Sequence, residues 1–274
     1  MRKTKVDTRA WKNPELFLTL LTTFTLVAVL LGAFIAVHFY SYFGDEGFHF
    51  DQIHLFLAGS MKMRQGVTTI PGYHLLLAGA AKLIHADSLN ALRVISLCFS
   101  GLTILFFWLC AKALKSHAPL AKTLQFAFIP ILFPFFPLVY TDVVSLLFVL
   151  AALYATVHRS YANAAIGAFL SVCIRQNNIV WFLFFFILFV DQEYRALLVQ
   201  WILTAIRKGK KRTLAKKSTL STLYVAVIVG LYAMGFALFG AFIKINGGLV
   251  IGDRTAHPFP PIHIGNIVFI LFLA

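Results

Sequence analysis

Apolar residues fill most of this chain in long blocks, and short polar clusters punctuate them. Leu16 to Tyr40 is the first block. At about 25 residues with no small-residue cleavage site, it predicts a retained helix rather than a signal peptide. Ser41 to Thr69 is too polar to cross a membrane. Pro71 to His85 is short but reads as a span with help from its flanks, and Arg93 to Ala113 is a clear one. Thr123 to Tyr140 is broken by Pro130, Pro134 and Pro137, which membrane helices tolerate where neighbours satisfy the freed carbonyls. Asp142 to Val157 follows. Ala162 to Val190 is read as one stretch interrupted by Arg175-Gln176-Asn177-Asn178, and Ser218 to Ile243 spans again. The pattern predicts an all-α, polytopic membrane helix bundle of about seven complete spans. Ile262 to Ala274 is apolar for only thirteen residues, short of the roughly 20 a span requires. The reading expects an eighth helix cut short there, with a C-terminal part of the bundle beyond it. No internal repeat is visible.

Composition agrees with the pattern. The chain of 274 residues is 60% hydrophobic and only 12% charged, with a mean hydropathy of +0.83; soluble domains carry roughly 25% charged residues. Twenty-nine Phe exceed what one water-soluble core would bury. A soluble enzyme, a disulfide scaffold and a disordered chain are thereby excluded. Cys98, Cys110 and Cys173 all lie in apolar runs and read as core residues, with no spacing that suits a metal site.

The net charge is +14, from 24 Lys and Arg against 10 acids. Five basic residues fall in the first twelve positions and seven between Arg207 and Lys217. Beside apolar spans such clusters mark cytosolic loops, so the basic excess speaks for orientation and not for nucleic acid. Residues 1–15 are expected as a basic cytosolic N-terminus and 16–274 as one transmembrane domain. Within it, 41–69 forms the first far-side loop, 191–217 a basic cytosolic loop and 244–263 a later far-side loop. Counting spans in alternation satisfies both strong clusters. It leaves Lys112, Lys115 and Lys122 on the wrong side, and it puts Tyr140-Thr141-Asp142 in the cytosol. Dividing Ala162–Val190 into two crossings would flip everything after it.

Two far-side constellations carry candidate chemistry. In Gly44-Asp45-Glu46-Gly47-Phe48-His49, two of the ten acids stand side by side at a membrane boundary. On a helix Asp45 and His49 share one face while Glu46 points elsewhere. A carboxylate there can act as a general base or a cation ligand; the alternative is an N-terminal cap. Asn246-Gly247-Gly248 leads to Gly252-Asp253-Arg254-Thr255-Ala256-His257, where Arg254 and His257 can hold a phosphate or Asp253 and Arg254 form an ordinary loop pair. Arg175 lies within a hydrophobic stretch, where an arginine costs at least about 2.5 kcal/mol. It faces a polar pocket with Gln176 and Asn177, or it snorkels or breaks the stretch into two helices. No phosphate-binding glycine loop, zinc-peptidase motif or N-glycosylation sequon occurs.

In this order the motifs resemble the terminal alpha-1,2-glucosyltransferases of the dolichol-linked oligosaccharide pathway, DIE2-type members of the GT-C superfamily. The likeness rests on Asp45-Glu46-x-Phe48-His49, Thr68-Thr69-x-Pro71-Gly72, Tyr140-Thr141-Asp142, Arg175-Gln176-Asn177-Asn178-Ile179-Val180-Trp181, and Asn246-Gly247-Gly248 leading to Gly252-Asp253-Arg254 and His257. Met63-Arg64-Gln65-Gly66 departs from the family's pattern, as does Pro258-Phe259-Pro260-Pro261. The resemblance implies a multi-pass protein of the endoplasmic reticulum membrane with a lumenal active site. It implies an inverting transfer of glucose from dolichyl-phosphate glucose to a lipid-linked oligosaccharide, with no cofactor. It implies Asp45 as the base with Glu46 as substitute. His49, Arg175, Gln176, Asn177, Asp253, Arg254 and His257 are its substrate-binding candidates. A transporter, or a non-catalytic membrane scaffold or channel-modulating subunit, is the alternative.

Overall fold

A computed structural model describes residues 14–206 and 222–248. Its described residues form nine helices: α1 (Pro14–His38), α2 (Glu46–Leu57), α3 (Gly72–Ile84), α4 (Leu89–Ala113), α5 (Pro119–Ala127), α6 (Thr141–Val157), α7 (Tyr161–Ile174), α8 (Ile179–Ile206) and α9 (Thr222–Asn246). The expected membrane helix bundle is what forms. Phe17–His38, Leu89–Ala113 and Leu223–Asn246 are each long and apolar enough to cross a bilayer.

Local chemistry explains several boundaries. Ser88 caps α4 by accepting from the Ala91 amide at 3.3 Å, and Pro119 occupies the first turn of α5, where its missing N–H leaves no bond unmade. After α5 the proline-rich segment abandons the α-helix, keeping one 3-10 turn at Phe133–Phe135. The Ser100 hydroxyl of α4 donates to the Phe136 carbonyl at 2.8 Å and so satisfies one group that the missing helix leaves behind.

Contacts between distant residues decide which helices cross. Glu46 touches both Arg93 and Val139, so each intervening segment leaves and returns to the same end of the bundle. Between Glu46 and Arg93 lies one apolar helix, α3, and a single helix cannot both leave and return. The expected crossing at Pro71–His85 is therefore corrected. α3 packs with α2 and the nearby ends of α4, α6 and α7 in one cluster around Ile53, Tyr73, Leu77 and Ile174. Between Arg93 and Val139 the chain descends through α4 and climbs back through α5 and the proline segment, with Phe107 stacked on Phe126 at 4.1 Å midway.

Ala162–Val190 is corrected in the opposite sense. It is two helices joined by a 3-10 turn at Gln176–Asn178. The Tyr161 hydroxyl at the start of α7 meets Gln192 and Glu193 of α8 at 2.9 and 2.8 Å, so the two run antiparallel and Arg175 lies at their hairpin. One crossing is lost at α3 and one gained at α7/α8. The two changes offset each other, so the expected total of seven is not altered by them. Everything between α3 and the hairpin reverses: Tyr140 and Asp142 join the Asp45 end, while Lys112, Lys115 and Lys122 move to the opposite end.

Candidate functional site

One end of the bundle gathers most of the expected polar residues within the described chain. Its foundation is a buried ion pair. Glu46, the first residue of α2, and Arg93, in the second turn of α4, are both 0% exposed. Arg93 Nε donates to Glu46 Oε1 at 3.0 Å and Nη2 to Oε2 at 2.6 Å. The rest of the guanidinium donates to the carbonyls of Val37, Tyr40 and Ser41 at 2.8, 3.1 and 2.6 Å. Glu46 also accepts from the amides of Val139 and Phe43. The pair thus ties together the end of α1, the start of α2, the start of α4 and the approach to α6.

This bears on the Glu46 expectation. A carboxylate with no exposure and four donors has neither access to a substrate nor a free lone pair facing one. Glu46 as a substitute base is corrected: it is a structural anchor.

Asp45 is the opposite case. It is exposed, and its side chain makes no capping hydrogen bond, although it occupies the N-cap position of α2. Its backbone is nonetheless held. The Asp45 amide donates to the Tyr140 hydroxyl at 2.6 Å, and that hydroxyl donates to the Phe43 carbonyl at 2.8 Å. Gly44 adopts φ +52°, and a Cβ there would come within 2.7 Å of the same Tyr140 oxygen, so the close approach requires glycine. Burial pushes the Tyr140 phenol above its ordinary pKa, and it stays a neutral donor. The turn clamps Asp45 on both sides and leaves its carboxylate unoccupied among the described residues.

His49 lies one turn along α2, buried, with its ring edge-on to Tyr140 at 5.3 Å between centroids. Its Nδ1 is 2.9 Å from Nε2 of His74 on α3. His74 Nδ1 is buried without a partner, and a stranded N–H is more costly there than a bare lone pair. The shared proton is accordingly assigned to His74 Nε2, leaving His49 an N–H on Nε2 to offer. Burial is the chief cause that lowers His49 to about 4, against the pull of the neighbouring Asp45 and Asp142 carboxylates, so its imidazole is neutral.

Arg175 completes the group. It pairs with Asp142 at the start of α6, both partners remaining partly exposed, and its charge bears on His49 along with those of Asp45 and Asp142. Gln176 is directed elsewhere: it donates to the Thr68 carbonyl at 2.8 Å and accepts from the Ile70 amide at 3.2 Å. With both amide atoms committed and 7% exposure, it pins the segment before α3, and its expected contact with substrate is corrected to a scaffold role. Asn177 is exposed at the hairpin. Asn178 is buried, donating to Ser145 and to the Ser171 carbonyl. Asp253, Arg254 and His257 lie outside the described residues.

Sequence reasoning missed Arg93, which read only as the first residue of a span, and His74. A charge several residues past the Ser88 cap, inside an apolar helix, was the available signal for Arg93. Tyr140 and Asp142 were noticed but assigned to the wrong end.

The model of the DIE2/ALG10 family matches residues 39–274. A mouse protein named Dol-P-Glc:Glc(2)Man(9)GlcNAc(2)-PP-Dol alpha-1,2-glucosyltransferase is 29% identical over 250 residues, covering 78% of this chain and 52% of its own length. A human protein of the same name is 28% identical over 247 residues, with 78% and 52% covered. One from Debaryomyces hansenii is 26% identical over 269 residues, with 89% and 55% covered. The chain spans about half the length of these curated relatives. No solved structure matches. The matched segment takes in every described residue of the site, from Asp45 to Asn178, and the chain belongs to the DIE2/ALG10 family.

Proposed function

We propose that this chain carries the base and the phosphate-binding cation of a membrane glucosyltransferase. It moves glucose from dolichyl-phosphate glucose to a lipid-linked oligosaccharide in alpha-1,2 linkage. The observation that carries the reading is the Asp45 carboxylate, held by its backbone and free at its oxygens, on the same end of the bundle as Arg175 and the neutral N–H of His49.

In a single displacement, an acceptor hydroxyl attacks the anomeric carbon while its proton passes to Asp45. The bond between that carbon and the phosphate oxygen breaks, and dolichyl phosphate leaves with the electron pair. Arg175, turning from Asp142 toward the phosphate, and His49 as a hydrogen-bond donor neutralise the developing charge. Arg254 and His257 are further candidates for the same task. The partners are the lipid donor, the lipid-linked acceptor and the bilayer that presents both.

The positive-inside rule supports a lumenal site in the endoplasmic reticulum membrane. Lys112, Lys115 and Lys122 lie at the end of the bundle opposite Asp45, the end where α1 begins and α8 finishes, and the two strong basic clusters adjoin those helix ends in the sequence. The transport alternative is less favoured, because Arg175 lies at the α7–α8 hairpin, paired with Asp142, at the same end of the bundle as Asp45.

The test is glucose transfer in microsomes containing the protein and supplied with dolichyl-phosphate glucose and acceptor. Asp45→Asn should lower turnover by at least about 100-fold while the protein remains in the membrane. Full transfer by that variant would remove Asp45 as base, and a scaffold would tolerate the change.

A further inference from the structure

The mechanism leaves one face of α2 without a role. α2 buries Glu46, His49, Gln52 and Ile53. Along its outer side, Phe48 and Asp51 follow Asp45 at intervals of three residues, so the three stand in a row that extends about 9 Å from the carboxylate. Phe48 is 40% exposed. Arg64, from the loop between α2 and α3, lies over the Phe48 ring at 5.7 Å and pairs with Asp51 at 2.9 Å.

This arrangement is built and held. Gln52, 0% exposed, donates to the Lys62 carbonyl at 3.0 Å and accepts from the Arg64 amide at 2.6 Å. Gly66 sits at φ +94°, and a Cβ there would come within 2.9 Å of the Phe48 ring. The loop is therefore fixed on both sides of Arg64. An exposed ion pair contributes little stability, so a buried glutamine committed to presenting one calls for another use.

We infer that Phe48, Asp51 and Arg64 form a subsite for the sugar chain of the acceptor, leading its terminal residue to Asp45; this rests on the proposed transfer reaction. An aromatic face stacks on the C–H face of a sugar ring, and a carboxylate beside a planar guanidinium receives adjacent hydroxyls through charge-assisted hydrogen bonds. The inner side of α2, with His49 facing Arg175, serves the donor phosphate, and the outer side serves the acceptor.

The experiment measures initial rates in microsomes with Glc(2)Man(9)GlcNAc(2)-PP-Dol and dolichyl-phosphate glucose varied separately. Phe48→Ala and Arg64→Ala should each raise the acceptor KM about tenfold while the donor KM stays within about twofold. Phe48→Tyr, which keeps the ring, should restore the acceptor KM. An unchanged acceptor KM in both alanine variants overturns the subsite, as does an equal rise for donor and acceptor. Asp45→Asn run alongside separates the two failures. If it is inactive while both alanine variants behave as wild type, the subsite alone falls; if it keeps full transfer, Asp45 falls as the base; and if the wild-type protein adds no transfer to the microsomes, the transfer reading falls and the subsite with it.

Discussion

Asp45 and Glu46 are adjacent carboxylates with opposite fates, and burial decides between them. Glu46 turns inward to Arg93, where each charge depends on the other. Removing one partner of such a buried pair strands the second, so Arg93→Ala should destabilise the protein by about 3–5 kcal/mol, read as a large fall in thermal midpoint. Replacing both with apolar residues, Arg93→Met with Glu46→Leu, strands neither charge, but it leaves the carbonyls of Val37, Tyr40 and Ser41 and the amides of Val139 and Phe43 without these partners, so part of the loss should remain. The double variant should still lose most glucose transfer, because the turn that carries Asp45 is then no longer anchored to α1, α4 and Val139. Wild-type turnover in a well-folded double variant would show that the pair does not position the base.

The histidine pair gives a pH dependence with a defined sign. His49 and His74 are lowered by burial from 6.5 to about 4 and about 3. In the unfolded chain both take up protons near pH 6.5, so below that value the unfolded state binds more protons than the folded one. Stability is therefore full above about pH 6.5 and declines as pH falls toward 4. His49→Gln with His74→Gln should flatten that decline in a series of thermal midpoints, and an unchanged slope would show that other groups dominate it.

Among the helices, α3 is where length misled. Its thirteen residues are apolar enough to resemble a short span, yet it packs beside α2 at one end of the bundle. Gly72 sets that position: a Cβ there would collide with the backbone carbonyl of Cys173 at the end of α7. Backbone cannot move aside as a side-chain tip can, so Gly72→Ala should cost about 1–3 kcal/mol and loosen the segment that Gln176 pins. A thermal midpoint equal to wild type would contradict this close approach. The α7–α8 hairpin misled in the other direction. Its turn is polar but brief, and an apolar pattern alone cannot tell a polar interruption within a helix from a reversal between two.

Across the bundle as a whole, these two errors cancel in the total and not in the middle. The corrected topology can be checked by glycosylation mapping. An acceptor sequon inserted in the exposed Gly59–Met61 turn should be modified, and sequons near Lys115 or Gly209 should not. Modification near Lys115 would restore the simple alternation and return Tyr140 and Asp142 to the cytosolic side, away from Asp45.

Hydropathy, charge and motif order were enough to establish a membrane helix bundle and to single out Asp45, His49 and Arg175, because those features reside in composition and local spacing. They could not place Asp142 beside Arg175, distinguish the anchored Glu46 from the free Asp45, or reveal Arg93 and His74. Each of these depends on partners far apart in the chain: 47 positions separate Glu46 from Arg93, and 33 separate Asp142 from Arg175. Such pairings arise only when helices pack, since the low-polarity interior makes an unpaired charge costly and so selects which side chains meet.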